Sequence, residues 1–347
     1  MSIMQMLLGA GGGDTGLPVE DVFDIKLYLG NTPVGQTINN GMNLDTSLSG
    51  GSPGGMVLIK VRDYLYGGNY SVWDTDRGPG YFLILNGSGK EEDTSGWTGD
   101  WDLYQFLTNG FNLGTNNSWT NGSGYNHVAW TFMKSSKFFD ICTWSGENDS
   151  TDQTIPHNLG CEPGMIIAKS RSSNTTDWYV YHTSLGNQDY IRMNSDAASN
   201  GDTGADQWAP TGTNFKAADA LNLNDGDDYI AYLFAKDEAN IKCGKYIGTG
   251  EAGNSVTVGF KPQFLLIKRA IGGTSNWVFL DTARGINSSE DGLDKELWCP
   301  SAAKETGYDN YVTLTDDGFD VEMSSPGWDA YNKLGDEFIY VAIKEED

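Results

Sequence analysis

Apolar residues fall in short runs separated by Gly, Asn, Asp and Ser, and the runs are of two kinds. Gly55-Met-Val-Leu-Ile-Lys60, Gly164-Met-Ile-Ile-Ala-Lys169 and Gln263-Phe-Leu-Leu-Ile-Lys268 are continuously apolar up to a lysine. That pattern predicts strands covered on both faces. His127-Val-Ala-Trp-Thr-Phe132, Tyr229-Ile-Ala-Tyr-Leu-Phe234 and Phe338-Ile-Tyr-Val-Ala-Ile343 read as closing strands, and the first alternates Val128, Trp130 and Phe132 with Ala129 and Thr131. Stretches with helical periodicity are confined to residues 215–221 and 301–304. Long polar loops at residues 109–124 and 194–212 imply that those segments do something.

The runs recur in a fixed order. An aromatic and a glycine come first, as Tyr28/Gly30, Trp144/Gly146 and Tyr246/Gly248. A threonine-containing strand follows: Gln36-Thr-Ile38, Gln153-Thr-Ile155 and Val256-Thr-Val258. After the apolar run stands Tyr70-Ser-Val-Trp-Asp-Thr-Asp-Arg-Gly78, matched by Trp178-Tyr-Val-Tyr-His-Thr-Ser-Leu-Gly186 and Trp277-Val-Phe-Leu-Asp-Thr-Ala-Arg-Gly285. Gly110-Phe111, Phe215 and Gly318-Phe319 precede the closing strands. Such self-similarity signals repeated structural units. It predicts an all-β chain of three tandem β-sandwich repeats at residues 21–135, 136–238 and 239–347, preceded by an extended N-terminal arm and glycine hinge over residues 1–20.

Composition narrows the function. The 347 residues carry 47 acidic and 22 basic side chains, a formal charge of −25. Nucleic-acid binding needs a basic footprint that this balance denies, and anionic membrane surfaces are disfavoured likewise. No stretch reaches the ~18 apolar residues of a membrane span. The four cysteines, at 142, 161, 243 and 299, lack zinc-site spacing and are too few for a disulfide scaffold; Cys142 and Cys243 read as small core residues. No cofactor is expected.

Comparison of the copies weighs each candidate for chemistry. Asp74 and Asp281 correspond, but His182 replaces them in the middle copy; Arg77 and Arg284 correspond, but Leu185 replaces them. The Asp-Thr-x-Arg-Gly turn therefore reads as held by its own Asp–Arg pair or an Asx turn. No acid pair is singled out as a glycosidase needs, and His127, His157 and His182 meet no nucleophile motif, so no enzyme is expected. Asp225, Asp227 and Asp228 form an oxygen-rich loop that is a weak Ca²⁺ candidate, set against a plain Asn/Asp/Gly turn. Trp97, Trp119, Trp298 and Trp328 fall in polar segments without clear counterparts, where they either stack on a ligand or partner or cover their own sandwich.

The Gly-Met-Ile-Ile-x-Lys strand, the Trp-x-Val-Tyr-His turn, Ile155-Pro-His-Asn-Leu-Gly160 and the closing Tyr-Ile-Ala-Tyr-Leu-Phe strand together resemble an uncharacterised repeat domain of virion structural proteins, labelled tail or tail-fibre, in marine bacteriophages of the cyanophage kind. The resemblance implies concanavalin-like or jelly-roll sandwiches in a virion component and transfers no catalytic residue. It expects a virion protein in the tail apparatus or decorating the capsid. Met4, Met6, Leu7 and Leu8, before glycines 9 and 11–13, would anchor it to other virion proteins by strand addition, in a homo-oligomer that contacts host glycan. A lectin-like module using the loop tryptophans is the alternative reading, with a polysaccharide depolymerase behind it.

Overall fold

Each continuously apolar run forms an inner strand of an antiparallel sheet. In the computed structural model, which describes residues 16–48, 52–96, 100–115, 118–201, 204–286, 293–307, 310–323 and 330–346, Gly55–Val61 lies between Asn126–Met133 and Tyr70–Asp74. Pro163–Ser170 lies between Asp228–Ala235 and Tyr179–His182, and Pro262–Ile271 between Glu337–Lys344 and Trp277–Asp281. The strands beyond the closing strand are Phe23–Leu29, Phe139–Ser145 and Ile241–Ile247; on the opposite side come Tyr81–Ile84, Ile191–Arg192 and Leu297–Cys299. Three large sheets thus share one strand order. Each has a small companion sheet built on Gln36–Asn39 with Gly110–Leu113, Gln153–Pro156 with Asn214–Ala217, and Asn254–Thr257 with Gly318–Val321.

Alternation divides the two faces of the inner strands. In the third sheet Leu265 and Ile267 turn toward Val256, Phe319 and Val321 of the small sheet, while Phe264 and Leu266 join a second core. That second core is common to the molecule. Leu58, Ile167 and Leu266, one from each large sheet, line an apolar void of about 30 Å³ within it, a lining that offers water no hydrogen bonds. The Phe132 ring meets Phe23 at 5.0 Å, Phe139 at 5.6 Å, Phe234 at 5.5 Å and Phe264 at 6.2 Å, rings drawn from all three copies.

The entry to each sheet is fastened the same way. Met133 N donates to Val22 O at 2.8 Å, Ala235 N to Phe138 O at 2.9 Å and Lys344 N to Asn240 O at 3.0 Å. Each opening segment is therefore tied to the end of its own closing strand.

Some expectations are corrected. Residues 215–221 split into the end of strand Asn214–Ala217 and a 3₁₀ turn at Asp219–Leu221, and residues 301–304 have no helix. Pairing with a neighbouring strand overrides short helical periodicity. At the end of the N-terminal segment Val19 is buried in the common core, and Leu17 O accepts Asn240 Nδ2 at 2.6 Å. Met4, Met6, Leu7 and Leu8 lie outside the described residues. Among those residues no helix is long and apolar enough to cross a membrane.

Because Phe132 touches rings of every copy, Phe132→Ala is expected to cost about 3–5 kcal/mol. Urea unfolding followed by tryptophan fluorescence checks this, and the three sheets should lose stability together.

Candidate functional site

The Asp-Thr-x-Arg-Gly turns hold themselves and something more. Arg77 Nε donates to Asp74 Oδ2 at 2.5 Å, and Asp74 Oδ1 accepts the Arg77 amide at 2.9 Å. Arg284 Nε and Asp281 Oδ2 repeat the pair at 2.6 Å, and all four side chains are fully buried. Each carboxylate then receives a donor from the closing strand of another copy. Tyr232 Oη donates to Asp74 Oδ2 at 2.7 Å, and Trp130 Nε1 to Asp281 Oδ2 at 3.0 Å.

The third contact explains why the middle copy departs from the motif. Register places Val341 of the third copy where Trp130 and Tyr232 stand. A valine cannot donate, so a carboxylate opposite it would be buried without that partner, at a cost of a few kcal/mol. His182 stands there instead, with Nε2 at 3.2 Å from Tyr340 O and Nδ1 accepting the Ser184 amide at 3.2 Å. These contacts suit the neutral imidazole, and burial lowers its pKa to about 4. With no carboxylate to match, the arginine also gives way to Leu185.

A second set of contacts runs in the same direction. Arg171 grips Glu91 through two bonds of 3.0 Å, and Arg62 grips Glu305 through two of 2.8 Å. The corresponding contact of the third copy is between backbones alone, Ser199 N to Ala270 O at 2.8 Å. Lys60, Lys169 and Lys268, which end the apolar runs, are fully buried. Lys60 Nζ reaches Ala302 O at 3.2 Å and Ala303 O at 3.1 Å, Lys169 Nζ reaches Ser88 O at 3.3 Å, and Lys268 Nζ reaches Asp196 O at 2.9 Å. Burial lowers Lys60 and Lys169 to about 8 and Lys268 to about 7. The long loop at residues 194–212 has its task here, since its Asp196 carbonyl and Ser199 amide bind the third copy.

The other candidates are placed as follows. Trp97 and Trp328 lie outside the described residues. Trp119 is half-buried on the short helix Ser118–Asn121. Trp298 is not in a loop: it sits in strand Leu297–Cys299 opposite Val278, half-buried against the inner core of the third copy. Asp227 Oδ2 accepts Ser170 Oγ at 2.8 Å and Asp228 Oδ1 accepts Ser145 Oγ at 2.6 Å. The loop they belong to is built around buried Asn224, which accepts the Glu147 amide and donates to Thr151 O. Asn121 and Asn332 organise the matching turns of the other copies. The oxygen-rich composition thus serves a turn, and among the described residues no three His, Cys, Asp or Glu side chains gather to hold a metal.

Two surface features lie outside this framework. A polar cleft of about 390 Å³ is lined by Leu185, Gly186, Asn187, Gln188, Asp189 and Asp206. Tyr64, Leu65 and Tyr66 crown the loop after Gly55–Val61, with Leu65 71 % and Tyr66 85 % exposed. Sequence reasoning passed over these tyrosines. Their signal was the contrast with Ser173, Asn174 and Thr175 in the matching loop.

The profile of one family, a domain of unknown function (DUF7483), matches residues 20–347. The chain belongs to the DUF7483 family. The match begins inside the turn Val19–Asp21 and takes in all three large sheets, the same extent over which they share a core. No curated protein and no solved structure matches the chain.

Two outcomes are expected. Arg77→Leu leaves Asp74 buried without its cation and should cost about 3–5 kcal/mol, whereas adding Asp74→His and Tyr232→Val, which copies the neutral arrangement at His182, should recover most of it; urea midpoints of the three proteins check this. Since His182 binds its proton near pH 4 in the fold but near 6.5 when unfolded, the unfolded chain takes up the proton first. Its contribution is therefore whole above pH 6.5 and falls by up to about 3 kcal/mol on acidification to pH 4. Stability measured across that window should lose part of its slope in His182→Gln.

Proposed function

We propose that the chain is a virion structural protein of three tandem β-sandwich repeats, placed in the tail apparatus or on the capsid. The observation that carries this is the use made of its buried ionisable residues. Asp74, Asp281, His182 and the three buried lysines bridge one copy to another by hydrogen bonds, Arg77 joins them through Tyr232 Oη, and Arg284 through the Trp130 ring. A protein whose buried polar groups are spent on internal joints is built for rigidity, and function then rests on the exposed loops. The resemblance of the repeated segments to phage virion proteins supports the same reading, and so does a formal charge of −25 that disfavours nonspecific association.

Anchoring falls to the N-terminal segment in this proposal. Met4, Met6, Leu7 and Leu8, which precede in sequence the Leu17 held beside Asn240, are proposed to add a strand to a neighbouring subunit. The protein is proposed to act without catalysis, through contact with other virion proteins.

Immunogold labelling of intact particles, with mass spectrometry of the purified virion, tests the proposal. Label at the tail or over the head is expected, and the chain lacking residues 1–13 should fold yet stay out of particles. Absence of the protein from purified particles would refute it.

A further inference from the structure

We propose that the first copy carries a binding site for a neutral glycan, formed by Tyr64, Tyr66 and Tyr125 beside the exposed pair Asp63 and Asn126. Tyr64 stands edge-on to both other rings, 5.8 Å from Tyr66 at 69° and 4.9 Å from Tyr125 at 73°. Asp63 Oδ1 accepts the Asn126 amide at 2.9 Å, and Asp63 Oδ2 accepts Asn126 Nδ2 at 2.6 Å. Aromatic faces take the apolar C–H side of a sugar ring, and a carboxylate beside a carboxamide offers acceptors and a donor to its hydroxyls.

The other two copies act as internal controls. The same loop follows the buried lysine in each of them. There it caps that lysine with small polar residues, Thr176 Oγ1 for Lys169 and Ser275 O for Lys268. The fold therefore does not need aromatics in this loop. At the position of Tyr125, just before the closing strand, the other copies have Asp227 and Asp336, which engage Ser170 and Arg269. Only the first copy exchanges both polar features for tyrosines, and the exchanges meet at one spot on the surface. Tyr66 stays largely in water and meets only Tyr64 among the ring contacts of the described residues.

The platform is also rigid. Gly67 N donates to Tyr64 O at 3.0 Å and Gly68 N to Ala302 O at 2.8 Å, while Lys60 Nζ holds the same Ala302 carbonyl from beneath. A Cβ at Gly67 would meet Ala302 O at 2.6 Å, so the loop lies tight on the third copy. Such preorganisation lowers the entropic cost of binding. A stable protein interface takes about 20–30 residues a side; three tyrosines beside the Asp63–Asn126 pair suit a small polar ligand better. The formal charge of −25 repels anionic polysaccharide, so the glycan is uncharged. The site is independent of the particle reading, since the protein alone would bind.

Saturation-transfer NMR on the full chain, with cellotetraose, maltotetraose, chitotetraose and galactotetraose as probes and sialyllactose as anionic control, tests the site. At least one neutral tetrasaccharide should receive transfer. The combined exchange Tyr64→Ser, Leu65→Asn and Tyr66→Thr should weaken it by about tenfold or more without moving the melting temperature, and Tyr66→Trp should retain it. Failure of every neutral probe to bind would overturn the proposal. So would unchanged affinity in the exchanged chain, or a self-association that the exchange abolishes while no sugar binds.

Discussion

A hydrogen bond between the closing strand of one copy and the turn at the end of the next strand pair in another is the contact on which the molecule turns. Tyr232 reaches Asp74, Trp130 reaches Asp281, and His182 reaches the Tyr340 backbone. The second copy thus docks on the first, the first on the third and the third on the second. Three contacts of one sense close a ring, and each large sheet turns a face to the common core. The two faces of every inner strand are then both buried, one under its own small sheet and one in the common core.

Buried charge makes the ring specific rather than merely cohesive. A carboxylate–guanidinium pair excluded from water is costly unless each remaining valence is met. Two of the joints meet that demand with a ring nitrogen or a phenol, backed by Glu305 or Glu91. The remaining joint avoids it with a neutral histidine, a leucine and a valine. Changes on different copies, His182 and Leu185 on one and Val341 on another, are thus one change.

The all-β class was legible because the longer strands carry either a continuous apolar run or an alternation. Continuous apolar runs marked the inner strands, and the recurrence of motifs marked the shared strand order. The mutual arrangement of the sheets was hidden, since nothing within a run tells which neighbour its second face will meet. Lys60, Lys169 and Lys268 were visible as recurring residues, yet their burial depends on carbonyls more than 70 residues distant in sequence. The aspartates of residues 225–228 read two ways for a local reason: the turn around Asn224 uses short polar side chains, and so does a calcium loop. Trp298 misled because its strand is only Leu297–Cys299, too short to show a period.

The family match spans residues 20–347, and the core shared by the three large sheets is expected to make them fold as one unit. Differential scanning calorimetry of the full chain tests this most directly. One transition is predicted, with a van't Hoff enthalpy equal to the calorimetric enthalpy, as for a single cooperative domain. Three separable transitions, each with about a third of the total heat, would contradict a common core and return the chain to independent domains in tandem.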